Sequence, residues 1–291
     1  MSEYVTVVGN PFLDLVFEGL PHLPSVDEEV LARSFHMVPG GSAIQAIGLA
    51  RLGLSVALVS ARGTDGVGRL LGDILTREKV RWIGPATADS PTTAIMSTPE
   101  GTAMATAAAV GEATLEDVAA TDPRRVVLSL GRAGLRPEGV PACFVTGSIE
   151  IEAGVSLSEL LILEDDVLVM NAREARAVTG EADVETSARM IARHGGTAVV
   201  TRGDVGAVGV RGDDLIRAPA VDVVARDATG AGDLFVAALV WAMTTGLPLR
   251  PSLEWACLFA GLSVMAPTAL AGARRLEELL EEGKRRGLTP P

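Results

Sequence analysis

Short, almost wholly apolar runs punctuate the chain at residues 4–8, 56–60, 125–130, 142–146, 166–170 and 198–201, with longer mixed stretches between them. Runs of this kind suit strands buried on both faces, and their alternation with helical stretches predicts an α/β fold: a doubly wound, mostly parallel sheet covered by helices on both sides. Two regions break the rhythm. Residues 12–36 and 92–107 carry shorter alternating segments with turn residues such as Pro21, Pro24 and Pro99-Glu100-Gly101, which read as strands of a small separate sheet. The segment 131–139 is too rich in glycine and proline for a full crossover helix, so one peripheral helix is expected to be reduced to a loop. Residues 255–273 read as a buried helix followed by a loop, because Pro267 and several glycines interrupt the run before it could span a bilayer. The whole chain, 1–291, is read as one domain carrying the inserted small sheet.

Composition narrows the class. With 48% apolar but only 3% aromatic residues, the core is aliphatic and built for close packing of small side chains. Lys and Arg number 25 against 37 Asp and Glu, a net charge of −12 that disfavours nucleic acid or an anionic membrane as partner. The two cysteines, Cys143 and Cys257, lie far apart in apolar surroundings and read as buried thiols, in keeping with a reducing cytoplasm. The first residues lead straight into an apolar run without the basic region of a secretory signal, so a cytoplasmic location is expected.

The chemistry concentrates in Asp227-Ala228-Thr229-Gly230-Ala231-Gly232-Asp233, which runs directly into the apolar stretch 234–243. Two glycines at a helix entrance let several N–H groups converge, and with the helix dipole they make an anion site. A carboxylate there would repel a phosphate unless it handled a proton during phosphoryl transfer, which is the work of a general base. The plain alternative is that Asp233 caps the helix. Other segments add candidates. A buried strand at 5–8 turns at Gly9-Asn10-Pro11 and then offers Asp14; Gly40-Gly41 precedes the helical stretch that begins Ser42-Ala43-Ile44-Gln45. Gly63-Thr64-Asp65-Gly66-Val67-Gly68 has the wrong glycine spacing for a dinucleotide fingerprint and reads as a strand-to-helix turn. Asn171-Ala172-Arg173-Glu174 follows a strand and, taken alone, is most simply a helix cap with its reciprocal Glu. Thr201, Gly203 and Gly206 mark a strand, a glycine-bounded turn and a second strand.

Taken in order, these segments resemble the ribokinase-like (PfkB) carbohydrate kinase family. The resemblance implies transfer of the ATP γ-phosphoryl group to a hydroxyl of a small sugar or nucleoside. It implies that Asp233 is the catalytic base, with backbone N–H groups of Gly230, Ala231 and Gly232 stabilising the transferring phosphoryl group. Asp14, Gly40, Gly41 and the Gln45 position would bind the acceptor. Asn171, Thr201, Gly203 and Gly206 would lie at the nucleotide, with residues 255–262 flanking the adenine, and Glu174 would organise hydrated Mg²⁺. In some relatives the Asp227 position and the loop 266–273 hold a monovalent cation, which makes K⁺ a candidate cofactor here. The small sheet would be a lid over the sugar, its strands at about 12–36 and 92–107, and the surface of a homodimer. There are departures. The family usually places an Asn after the glycine pair, whereas here the match falls on Gln45 or, read back from Ala46-Ile47-Gly48-Leu49, on Ile44. Ala228 replaces a common Thr. No Lys or Arg occurs at 42–45, which favours a neutral acceptor over a sugar phosphate, with Arg33, Arg62 and His36 as the remaining sources of charge. The missing Asn also motivates a rival reading, a non-catalytic sugar- or nucleotide-binding sensor on a kinase fold; Asp233, Glu174 and the Gly-Ala-Gly loop argue against it.

Overall fold

A computed structural model describes residues 4–107, 111–147, 151, 154 and 156–291. In chain order the elements are β1 (Tyr4–Val8), β2 (Pro11–Glu18), β3 (Ser34–Gly41), α1 (Ser42–Arg51), β4 (Ser55–Val59), β5 (Arg62–Gly63), α2 (Gly66–Arg77), β6 (Val80–Ile83), β7 (Ala86–Thr87), β8 (Thr92–Thr98) and β9 (Gly101–Ala107). They continue as α3 (Leu115–Ala119), β10 (Arg125–Ser129), β11 (Ala142–Val145), β12 (Val167–Asn171), α4 (Ala172–Thr179), α5 (Val184–Ala192), β13 (Thr197–Thr201), β14 (Ala207–Arg211) and β15 (Asp214–Ala218). The chain closes with α6 (Ala231–Thr244), α7 (Leu249–Ser263), α8 (Ala269–Gly272) and α9 (Leu276–Arg285).

The main sheet has nine strands in the order β15-β14-β13-β12-β11-β10-β1-β4-β6. From β13 to β6 all neighbours are parallel, and the β14–β15 hairpin adds an antiparallel edge. Alternate residues of each strand enter two separate cores, as a sheet covered on both faces requires. Val7, Leu58, Val127 and Val169 pack under α1, α6 and α7, whereas Val8, Val59, Leu128 and Met170 pack under α3, α4 and α5. Residues 234–242 of α6 are all buried, because that helix is apolar all round and lies between α1 and α7. The chain builds outward from β1 to β4 and β6, then returns to the other side of β1 for β10, so the strand order reverses there. A crevice at the carboxyl ends of the strands is where such a sheet binds ligands.

The expected small sheet is present, ordered β3-β2-β8-β9. Its strands differ from the expected limits: β3 runs on through the glycine pair, pairing Gly40 with Phe12 and Gly41 with Pro11, while residues 19–33 are irregular. The register sets Asp14, Thr93 and Thr106 side by side on one face, and Phe35, Phe17 and Met96 on the other. Between β10 and β11 the glycine-rich segment forms only a 3₁₀ turn, Leu130–Leu135, in place of a crossover helix. Both cysteines are free and buried. Among the described residues no helix is long and apolar enough to cross a membrane.

Candidate active site

Gly230 caps α6 in the left-handed region (φ 77°), a conformation that costs a side chain dearly, and a Cβ there would also lie 2.8 Å from both Ala269 and Ile44. The cap turns the first N–H groups of α6 outward, where they have no partner within the helix. Asp227 braces the approach by accepting from Thr229 N–H at 2.9 Å. Of the three residues expected to form the anion hole, Ala231 already donates its N–H to the Ala228 carbonyl (3.2 Å). A Cβ on Gly232 would meet nothing within 4 Å, so the space in front of it is open.

Asp233 follows in the first turn of α6. Gln45, buried at 6% exposure on the first turn of α1, donates its amide N–H to Asp233 Oδ1 at 2.8 Å. Burial pushes the Asp233 carboxyl up to about 6, the Gln45 hydrogen bond pulls it down, and the charge of Asp14 raises it further. Asp14, on β2, is buried at 8% exposure, and burial lifts it too to about 6 against a hydrogen bond from Thr93. Gly40 leaves room for this placement of the acid, since a Cβ would lie 2.0 Å from Asp14 Oδ2. Asp14, Gly40, Gln45 and Asp233 are thus brought together from the small sheet, α1 and α6. Arg33, Arg62 and His36 are engaged elsewhere: Arg33 lies against Gly19, Arg62 donates to the Gly84 carbonyl at 3.0 Å and His36 sits 3.7 Å from Glu18.

On the other side of the 230–232 turn lies a cavity of about 280 Å³ with mostly apolar walls. Thr201, Gly203 and Gly206 line it, as the sequence led one to expect, together with Ala228, Ala231 and Gly232. Its far wall comes from the expected segment 255–262, through Cys257, Ala260 and Gly261, with Val264 just beyond it; Trp255 alone turns away, to the core, edge-on against Trp241 at 5.7 Å. The segment between β15 and α6 supplies Val221, Val223 and Ala225. Sequence reasoning missed these three, although their period-2 spacing in Val221-Asp222-Val223-Val224-Ala225 is a signal of a half-buried extended segment. Thr93 was missed as well; only strand register places it beside Asp14.

Asn171 ends β12 directly opposite Thr201 of β13. With Glu174 it forms a reciprocal capping box on α4: Asn171 Oδ1 accepts from Glu174 N–H at 2.9 Å, and Glu174 Oε2 accepts from Asn171 N–H at 2.8 Å. Thr146 also donates to Glu174 Oε2 at 2.6 Å. These bonds fix the carboxylate at the crevice while engaging only Oε2, which suits an outer contact to a hydrated Mg²⁺. Among the described residues no group of three or more His, Cys, Asp or Glu could cage a metal, so a cation here would keep most of its waters. In the loop 266–273, proposed for K⁺, the Leu270 and Ala273 carbonyls already receive the Arg51 guanidinium at 2.5 and 2.9 Å, so those two oxygens are committed to a fixed cation.

Comparison with known proteins bears on the same residues. A family model for pfkB family carbohydrate kinases matches residues 156–273, the stretch from before Asn171 to beyond Asp233. The ribokinase of Bacillus subtilis (strain 168) is 28% identical over 296 residues, covering 95% of this chain and 99% of that one. Among solved structures, ribokinase from Thermotoga maritima has a TM-score of 0.80 at 21% identity, over 98% of this chain and 100% of its own. Arabidopsis thaliana ribokinase, complexed with ribose and ATP, has a TM-score of 0.77 at 23% identity, over 97% and 98% of the two chains. At such identities the structures establish the shared fold.

Proposed function

We propose that this chain, which belongs to the ribokinase-like (PfkB) family of carbohydrate kinases, phosphorylates a hydroxyl of a small neutral sugar or nucleoside with Asp233 as general base. That it is an ATP-dependent carbohydrate or nucleoside kinase follows from the family; the acceptor and the residue roles are our reading. The observation that carries it is the position of Asp233, in the first turn of α6 beside an open helix N-terminus, with Oδ1 held by Gln45 and the buried Asp14 nearby.

In this reading the nucleotide base occupies the apolar cavity walled by Val221 and Ala260, and the phosphates reach the N–H groups of Gly230 and Gly232. Asp14 accepts two acceptor hydroxyls and, with the Gly40-Gly41 backbone and Gln45, orients a third toward Asp233. Asp233 takes the proton of that hydroxyl as its oxygen attacks the γ-phosphorus in line, and the 230–232 turn stabilises the charge that spreads over the phosphoryl oxygens. Glu174, held by its capping box beside Asn171, would contact Mg²⁺ through water; bound there, the ion neutralises phosphate charge. K⁺ enters no step. A neutral acceptor is favoured because residues 42–45, after the glycine pair, supply no Arg or Lys. Two free buried thiols fit a cytoplasmic setting.

The test is ADP release with ATP and Mg²⁺ against pentoses, hexoses, sugar phosphates and nucleosides, run with Asp233→Asn in parallel. The variant should lose roughly 10²–10⁴ in kcat, the span of a positioned general base. Unchanged turnover in that variant would sink the assignment, and specific binding without turnover in the parent protein would favour a sensor.

A further inference from the structure

The amide of Gln45 has a second consequence, which rests on Asp233 being the base. We propose that Gln45 is a positioning residue for Asp233: its amide clamps Oδ1, holds the carboxylate ionised and leaves Oδ2 to receive the acceptor's proton.

The contact is built by helix packing. Gly48 lies one turn beyond Gln45 on α1, and a Cβ there would lie 2.9 Å from both Ala237 and Leu234 of α6. The bare backbone at Gly48 lets the two helices close up, and Ile44 meets the α6 cap at Gly230. Gln45 is therefore carried to the first turn of α6, with its amide nitrogen 2.8 Å from Asp233 Oδ1. A shorter amide from the same backbone position would fall about one methylene short of that oxygen.

The chemistry of the bond is one-directional. A carboxylate only accepts, so the Gln45 nitrogen must donate, and the donated bond favours the ionised form. It opposes two influences in the other direction, burial and the charge of Asp14 on β2. Asp14 is the one charged group coupled to Asp233 among the described residues; α1 faces it with the neutral Gln45 and the small sheet with Asp14. Gln45 is thus what keeps the base competent near neutral pH.

The experiment follows the side-chain carboxyl carbon of Asp233 by ¹³C NMR as a function of pH in the free protein, so no acceptor is needed. The resonance is identified by its absence in Asp233→Asn. In Gln45→Met, which keeps the length without the donor, and in Gln45→Asn, which keeps the donor without the reach, the midpoint should rise by about 0.5–1 pH unit. That is one bond's share of the shift that two or three N–H donors give a carboxylate. The Asp14 midpoint should move far less. An unmoved Asp233 midpoint in either folded variant, verified by thermal melt, overturns the proposal. Turnover retained by Asp233→Asn would instead overturn the base assignment while leaving the titration result standing, so the two failures are distinguishable.

Discussion

Asp14→Asn should make the protein more stable and less useful. Burial raises the Asp14 carboxyl from 3.8 to about 6, so between those pH values the folded chain holds a proton that the unfolded chain has released. Folding therefore takes up a proton in that window. Stability contributed at this site is fully present below about 4, is lost as pH rises toward 6, and stays lost above. A shift of about 2 pH units corresponds to about 3 kcal/mol, at about 1.4 kcal/mol per unit. Asparagine has the shape of the carboxyl without the charge, and Thr93 can still pair with it, so the variant should gain up to about 3 kcal/mol at pH 8 and almost nothing at pH 4. Urea unfolding of both proteins at the two pH values isolates the site, because titrations uncoupled from Asp14 cancel in the difference and Asp233, relieved of the Asp14 charge, shifts it in the same direction. The same change removes a charged acceptor for hydroxyl donors, a loss of about 1.5–3 kcal/mol that raises the acceptor's KM by roughly 10- to 100-fold. A stability difference that is the same at pH 4 and pH 8 would refute the burial argument, whatever happened to KM.

Gly40→Ala tests the placement of the same acid by sterics. Its Cβ would lie 2.0–2.4 Å from the Asp14 carboxyl atoms, which can swing aside cheaply, so the melting temperature should change little while kcat/KM for the acceptor falls on the order of 100-fold. Full activity in Gly40→Ala would show that Asp14 does not hold the acceptor. The outer face of the small sheet tests the assembly: Phe35 is 49% and Met37 54% exposed, and they continue an apolar row through Phe17 and Leu15. We propose that this face joins two copies, so Phe35→Lys with Met37→Lys should convert a dimer to a monomer in sedimentation; a parent protein that sediments as a monomer rules this out.

The strands were legible because strands buried on both faces must be apolar without a break, and β1, β10 and β13 lie within a residue of their apolar runs. The entrance to α6 was legible because the converging glycines and an out-of-place acid lie within seven consecutive residues. What stayed hidden depends on approach between elements. Trp255 could have faced either side of α7, and the core claimed it through Trp241. The small sheet's limits moved because strand pairing drew the glycine pair into β3, which places Gly40 next to Asp14. The choice between Ile44 and Gln45 for the position after the glycines had no answer along the chain. Consecutive residues on a helix point about 100° apart, since 3.6 residues make a turn. Ile44 consequently meets the α6 cap at Gly230 while Gln45 reaches Asp233, 188 positions away in sequence. Both residues therefore serve the same turn, one packing its backbone and the other holding its acid. On the proposed reading, the absence of an Asn after the glycine pair is a change in how Asp233 is held, with the entrance to α6 unaltered.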